Sequence, residues 1–362
     1  MNICFMVPSM GAGGAERTVS YLTKEFIKRG DLVSIITVFD DSFYEVDKEV
    51  LCKCIDIRGS SKLPRLMNRI ICGILRYRKV NQAINEIKPD IVFCILTDMA
   101  KYVINAKRYY CLITSERTNP SILPKKVISQ KKKIYRKSDG IVFQTNRAKA
   151  FFCNDIGDKG IVIQNAVSIE TSKVNRTTAN KKFTAVGRLI DAKDYPTMIR
   201  AFYLFHQSYP DYILEIFGDG PNESDLKTLV EELELAQSVF LKGTVKGAIY
   251  SAIDSTAFLF SSKYEGMPNV LLEALALGVP CISTRCPNGP EEIIQDGVNG
   301  FLTDVGNPES FCECMKYVVE NPERRELVAK NGKKINGTNS ISNISDQYHD
   351  YFVSVMKNQN RK

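Results

Sequence analysis

The chain has 362 residues, enough for two domains that each bury a core. Hydrophobic residues make up 44% and charged residues 25%, a globular balance that excludes a disordered or fibrous chain. Lys and Arg number 49 against 41 Asp and Glu, and the net charge of +8 suits a phosphate-bearing or anionic partner but is too diffuse to indicate nucleic acid.

In chain order, residues 3–7 form a short buried strand and 9–14 a glycine loop. A helix over 15–29 carries Val19, Leu22 and Phe26 at helical spacing and ends at Gly30, and a second buried strand covers 33–39. This βαβ unit implies a parallel sheet. The alternation continues with a helix over 63–87, strands over 91–95 and 109–114, a helix over 128–136, and strands over 140–144 and 161–164. Residues 167–182 are polar and predict a linker. The rhythm then restarts: strand 183–186, helix 195–207, strand Ile213–Phe217, helix 222–235, strands Val239–Leu241 and 257–260, helix 268–277 and strand 281–283. A helix over 344–356 and a polar tail close the chain. The prediction is an α/β protein with a Rossmann-like acceptor-side domain over 1–166, a second Rossmann-like domain over 183–340, and a segment over 341–362 that returns to the first. Two such domains would face each other across a cleft at their strand ends, where open parallel sheets bind ligands.

Eleven Cys is an odd number, no CxxC occurs, and Cys94, Cys111 and Cys281 sit in apolar runs. Buried free thiols in a reducing compartment are expected. Cys52/Cys54 and Cys312/Cys314 are CxC pairs, but His206 and His349 are the only His and have no partner at ligand spacing, so no metal site is expected. No stretch approaches the roughly 18 apolar residues of a membrane span. The start lacks a basic leader and runs into the glycine loop, which does not read as a signal peptide. A cytoplasmic chain with at most peripheral membrane contact is expected.

Three clusters carry the chemistry. Gly11-Ala12-Gly13-Gly14-Ala15-Glu16-Arg17 opens a helix directly after a strand, where backbone N–H groups and the helix N-terminus favour an anion. A tight βα turn would need fewer glycines. Gly187-Arg188-Leu189-Ile190-Asp191-Ala192-Lys193-Asp194 follows the first strand of the second domain and sets two cations, Arg188 and Lys193, at a strand end. The third cluster runs from Ser261 to Glu273. Pro268 suits a first helical turn, and the N–H groups near Asn269, Val270 and Leu271 would face a diphosphate. Glu265 and Glu273 would repel that phosphate, so they are expected to accept from sugar and ribose hydroxyls instead.

At these residues the sequence resembles the retaining glycosyltransferases of family four, which have the GT-B fold. Glu265 and Glu273 are spaced E-x7-E, GRLxxxKD lies upstream, FGDGP lies between, and GGAER stands near the start. The resemblance covers essentially the whole chain. It implies that Gly13 and Gly14 lie near the donor diphosphate and that Arg188 and Lys193 grip it. Glu265 would meet the donor sugar and Glu273 the nucleotide ribose. Gly266, Met267, Asn269, Val270 and Leu271 would form the helix start whose amides meet sugar and phosphates. It also implies that neither metal nor cofactor is needed, because cations and helix dipole stabilise the leaving nucleoside diphosphate.

Many members carry a His facing the donor sugar, and this chain has Thr114-Ser115-Glu116-Arg117-Thr118-Asn119-Pro120 there. That segment with GGAER is similar to the subgroup that builds cell-surface glycans, such as capsule or O-antigen, on undecaprenyl-linked acceptors. Glu116 would contact the donor sugar or take the acceptor proton, and Arg117 would hold the acceptor phosphate. Alternatively the two form a buried pair bracing the cleft. The implied activity is hexose or N-acetylhexosamine transfer from a UDP-sugar to a lipid-linked oligosaccharide, by front-face return on the inner face of the plasma membrane. A sugar-nucleotide epimerase of the same fold usually needs acid/base residues, often His, in which this chain is poor. A silent nucleotide-sugar-binding partner is the other alternative. A nicotinamide oxidoreductase does not fit a second domain with its own phosphate-binding set.

Arg65, Arg69, Arg76, Arg78 and Lys79 alternate with Leu66, Ile70, Ile71, Ile74 and Leu75, and Lys125-Lys126, Lys131–Lys133 and Arg136-Lys137 add basic charge nearby. Such a helix either lies on an anionic membrane or simply sets its apolar face on the core.

Overall fold

The computed structural model describes residues 1–11, 13–41, 43–58, 64–170 and 180–359. Most of the expected linker, at 171–179, lies outside the described residues, as do Ala12 of the glycine loop and Leu63 at the start of the predicted basic helix. The chain forms two compact units, Met1–Ala166 with Ile341–Lys362, and Val167–Ser340.

The first unit contains β1 (Asn2–Val7), α1 (Gly14–Lys28), β2 (Leu32–Thr37), β3 (Leu51–Cys54), α2 (Arg65–Ile87), β4 (Ile91–Cys94), β5 (Cys111–Glu116), α3 (Lys125–Lys137), β6 (Gly140–Phe143), α4 (Asn146–Ile156) and β7 (Gly160–Val162). All seven strands are parallel, in the order β3-β2-β1-β4-β5-β6-β7. Period-two alternation gives the sheet two buried faces. On one, Ile3, Phe5, Phe93 and Ile113 meet Val19, Leu22 and Phe26 of α1. On the other, Cys4, Met6, Val92 and Cys94 meet Val80, Ala83 and Ile84 of α2, while Ile141 and Phe143 meet Tyr135 of α3 and Phe152 of α4.

The second unit contains β8 (Asn180–Val186), α5 (Tyr195–His206), β9 (Ile213–Phe217), α6 (Glu223–Glu232), β10 (Val239–Leu241), β11 (Ser255–Phe260), α7 (Asn269–Ala276), β12 (Cys281–Thr284), α8 (Pro290–Ile293), β13 (Phe301–Thr303), α9 (Pro308–Glu320), α10 (Pro322–Gly332) and α11 (Ile335–Thr338). Its parallel sheet is ordered β10-β9-β8-β11-β12-β13. The last helix, α12 (Ile341–Gln359), belongs to the first unit: Phe352 lies 5.1 Å from the Phe93 ring, and the Ile141 N–H donates to Tyr351 at 2.8 Å.

Sequence patterning missed β3, α4, α8, β13, α9, α10 and α11. Three of the four β3 residues are exposed at the sheet edge, so no apolar run marks it. The starts of α4 and α9 were readable from chemistry. Thr145 accepts from the Ala148 N–H at 3.1 Å, and Asn307 accepts from the Ser310 N–H at 2.9 Å ahead of Pro308. The expected burial of the thiols holds for Cys94, Cys111 and Cys281, but Cys52, Cys54 and Cys153 are exposed.

Candidate active site

In the second unit, the loop after β8 is tied down along its backbone. The Gly187 N–H donates to Phe217 O at 2.9 Å and the Leu189 N–H to Asp219 O at 2.7 Å. Leu189 is fully buried, and the Tyr195 hydroxyl donates to Gly187 O at 3.0 Å. Across from it, the loop after β11 donates from Ser261 Oγ to Lys193 O at 2.8 Å and from the Lys263 N–H to Ala192 O at 2.8 Å. Parallel strands β8 and β11 are neighbours, so both loops leave the sheet at the same end.

Those ties bring Lys193 Nζ to 2.7 Å from Glu265 Oε1, and Ser262 Oγ donates to the same oxygen at 2.7 Å. The ammonium also stands 4.7 Å from the centre of the Phe260 ring. Neither charged side chain is sealed, at 18% and 15% exposure, so an incoming anion can compete for Lys193 and a hydroxyl for Glu265. Burial, then the Glu265 carboxylate, pushes the Cys286 thiol up to about 12 and raises the Tyr195 phenol as well. Both stay neutral near pH 7 and bring no competing charge to Glu265.

The Glu265 loop leads into α7. Gly289 supports it at φ +92°, where a Cβ would come within 2.6 Å of Pro268 Cδ and 2.7 Å of Gly266 O. Met267 is buried beneath, and Glu273 in α7 is 7% exposed. The expectation that the amides of Asn269, Val270 and Leu271 all face a ligand needs correction at Leu271. Its N–H donates to Pro268 O at 3.1 Å and its side chain is fully buried. Arg188 is exposed, and among the described residues no carboxylate pairs with it.

FGDGP holds the other side of the Arg188 loop. Gly218 has φ +139°, and a Cβ there would fall on the Gly187 carbonyl oxygen. Gly218→Ala is therefore expected to cost about 1–3 kcal/mol and to lower the melting temperature. A calorimetric scan that matches the parent would show that the loops are not locked in this way.

In the first unit, Glu116 ends β5 at 1% exposure. Lys131 Nζ and the Tyr135 hydroxyl each donate to Oε2 at 2.7 Å, while the Thr118 N–H (3.0 Å) and hydroxyl (2.7 Å) donate to Oε1. Burial, then the Glu116 charge, holds the Tyr135 phenol well above its ordinary value, so it remains a donor. Four donors on a buried carboxylate favour bracing over proton transfer. The bracing partner, however, is not Arg117. Arg117 turns to the opposite sheet face and donates to Thr18 Oγ1 (3.0 Å), Asn165 Oδ1 (3.4 Å) and the Tyr348 hydroxyl (3.2 Å). All three of these partners are neutral, so the guanidinium's charge is not matched by a carboxylate among them. At the glycine loop, the Gly13 N–H donates to Gly11 O at 2.9 Å and the Glu16 carboxylate lies against Gly13. Gly14 begins α1.

Sequence reasoning gives no role to Ser262, Tyr195 or Tyr135, and it counts Lys131 in a basic surface group, whereas its ammonium is buried on Glu116. Lys131 and Tyr135 are four apart on α3, which puts them on one helix face, but nothing in the sequence connects that face to Glu116. Ser262 stands three residues before Glu265, a local spacing that was a usable signal.

Residues 168–335 match the family model for glycosyl transferases group 1, and residues 12–171 that for Glycosyltransferase Family 4. An uncharacterized glycosyltransferase of Methanocaldococcus jannaschii is 30% identical over 315 residues, covering 74% of this chain and 75% of its own. A Campylobacter jejuni enzyme, N-acetylgalactosamine-N,N'-diacetylbacillosaminyl-diphospho-undecaprenol 4-alpha-N-acetylgalactosaminyltransferase, is 26% identical over 347 residues, 90% and 92% of the two chains. Among solved structures, Anabaena HepE in complex with UDP superposes with a TM-score of 0.83 at 17% identity, covering 98% of this chain and 100% of that one. Two parallel-sheet α/β domains, these matches and the GT-B neighbours define the class. The chain belongs to the GT-B glycosyltransferases.

Proposed function

We propose that the chain transfers a hexose or N-acetylhexosamine from a UDP-sugar to a lipid-diphosphate-linked oligosaccharide in cell-surface glycan assembly, with retention of anomeric configuration. The observation that carries this is the Lys193–Glu265–Ser262 cluster at a strand end, beside the start of α7. A cation and a carboxylate side by side match a ligand that is anionic at one end and hydroxylated at the other. In this reading Lys193 and Arg188 hold the diphosphate, and the α7 start at Gly266, Asn269 and Val270 adds backbone donors. Glu265 accepts from sugar hydroxyls and Glu273 from the ribose. Gly13 and Gly14, at the start of α1, approach the diphosphate once it displaces the Glu16 carboxylate from Gly13. The bond from the anomeric carbon to the phosphate oxygen breaks, the acceptor oxygen bonds to that carbon on the same face, and its proton passes to the leaving phosphate. Charge stabilisation and positioning supply the catalysis without a metal. Arg117 meets the acceptor phosphate, and Glu116 keeps the 117–120 segment in shape.

The lipid acceptor follows the activity of the Campylobacter relative, and UDP follows the HepE complex. The working place is then the anionic inner face of the plasma membrane, reached from the cytoplasm. Among the described residues no helix is long and apolar enough to cross a membrane. Incubation with labelled UDP-sugars and undecaprenyl-linked oligosaccharides tests the proposal. Transfer is expected. Epimer exchange, or binding without turnover, would replace this reading with one of the two alternatives. Glu273→Ala is expected to weaken UDP binding by roughly tenfold or more in calorimetry, since it removes a charge-assisted hydrogen bond.

A further inference from the structure

α2 does not bury the apolar stripe that its sequence displays. Leu66 is 72% exposed, Ile70 55% and Ile74 50%, and Met67, Ile71 and Leu75 are exposed beside them. These positions recur every four residues and so form one stripe along the first half of the helix. Only Cys72, Val80, Ala83 and Ile84 are buried. Lengths explain the division. At about 1.5 Å per residue, 23 residues run about 34 Å, whereas the six residues of β1 span about 20 Å. The C-terminal half of α2 covers the sheet, and the N-terminal half outruns it at the end where the strands finish and Glu116 lies. A contiguous apolar stripe of this size is unusual on a soluble surface and calls for a partner.

Charge identifies that partner. Arg65, Arg69, Arg78 and Lys79 flank the stripe, and the first acidic residue of the helix is Glu86. A second copy docked on the same stripe would set these cations against themselves across a two-fold axis. An anionic bilayer takes both features together, apolar side chains in the acyl boundary and cations among the headgroups. α3 shares this sheet face but gives less charge than its sequence suggests. Lys131 is buried on Glu116, and Lys132 and Arg136 pair with Asp155 at 2.8 and 2.7 Å. Arg76 is likewise committed, donating to Ile57 O at 2.6 Å with its guanidinium 5.1 Å from the Phe39 ring.

We infer that the first half of α2 is a membrane anchor, which inserts Leu66, Met67, Ile70, Ile71, Ile74 and Leu75 into the interface of an anionic bilayer while Arg65, Arg69, Arg78 and Lys79 hold the headgroups. This goes beyond the proposed reaction, which needs a lipid-borne acceptor but assigns no segment to the bilayer.

The chain has no Trp, so Ile70→Trp gives a single-site reporter in the full-length protein. Mixed with vesicles of equal parts phosphatidylcholine and phosphatidylglycerol, its emission should shift to the blue and be quenched by brominated acyl chains. Vesicles of phosphatidylcholine alone should bind much more weakly. The triple change Leu66→Gln, Ile70→Gln, Ile74→Gln should weaken co-sedimentation with the mixed vesicles by about a hundredfold or more, with melting and UDP binding unchanged. Charge reversal at Arg65, Arg69 and Arg78 should also weaken it. Emission that stays at its aqueous position at saturating lipid overturns the inference, as does parental binding by the triple variant. A concentration-dependent blue shift without lipid assigns the stripe to a second copy and overturns it too. None of these readouts uses turnover, so the anchor stands or falls separately from the choice of donor and acceptor.

Discussion

Lys193→Ala should fold normally and lose about two to three orders of magnitude in turnover. The leaving group of the proposed reaction is a nucleoside diphosphate, whose charge grows as the anomeric bond breaks. Lys193 is placed for that charge by three independent contacts: its side chain on Glu265, its carbonyl on Ser261 Oγ, and its ammonium near the Phe260 ring. The backbone contact does not need the side chain, so the loop should survive the substitution. With 15% of its side chain exposed, Glu265 can recruit water when the ammonium is removed, which limits the loss of stability. A steady-state comparison should show the loss mainly in kcat. Lys193→Arg separates charge from geometry: it restores a cation but not its position, and partial recovery is expected. Parental turnover in Lys193→Ala would mean that the diphosphate is held elsewhere.

How far this site was legible depended on whether the relevant contacts are local in sequence. The strands and helices that carry regular apolar runs, such as Ile213–Phe217, were readable to within about three residues at either end, because burial leaves a continuous signal. Arg188, Lys193, Glu265 and Glu273 were readable as candidates because each falls in a short motif at a strand end. Their pairing was not. Lys193 and Glu265 are far apart in sequence and meet only because β8 and β11 are neighbours in the sheet. For the same reason the alternative that pairs Glu116 with the adjacent Arg117 fails: successive residues at a strand end point to opposite faces, so Glu116 reaches α3 while Arg117 reaches α1 and α12. The stripe of α2 was visible in the sequence, but whether it faced core or solvent depended on the helix outrunning its sheet, which residue periodicity does not encode.

Glu116→Gln should destabilise the first unit by about 3–5 kcal/mol while sparing much of the chemistry at temperatures where the protein remains folded. The carboxylate takes four donors, from Lys131, Tyr135 and both polar groups of Thr118. An amide replaces one acceptor oxygen with an NH2, so a donor then faces a donor, and Lys131, with only 10% of its side chain exposed, loses its counter-charge. Lys131→Met should cost a similar amount by stranding the carboxylate instead. The two changes are in contact and should not add. The double variant Glu116→Gln/Lys131→Met removes both charges, so its stability should exceed that expected from the sum of the single losses. Denaturant unfolding measures all three, and turnover below the onset of unfolding measures the chemistry. A brace gives large stability losses, strong coupling between the two sites and a modest fall in kcat. A proton acceptor gives the reverse: near-parental stability, little coupling and turnover reduced by about two to four orders of magnitude. That second pattern would return Glu116 to the reacting atoms and take the acceptor's proton away from the leaving phosphate.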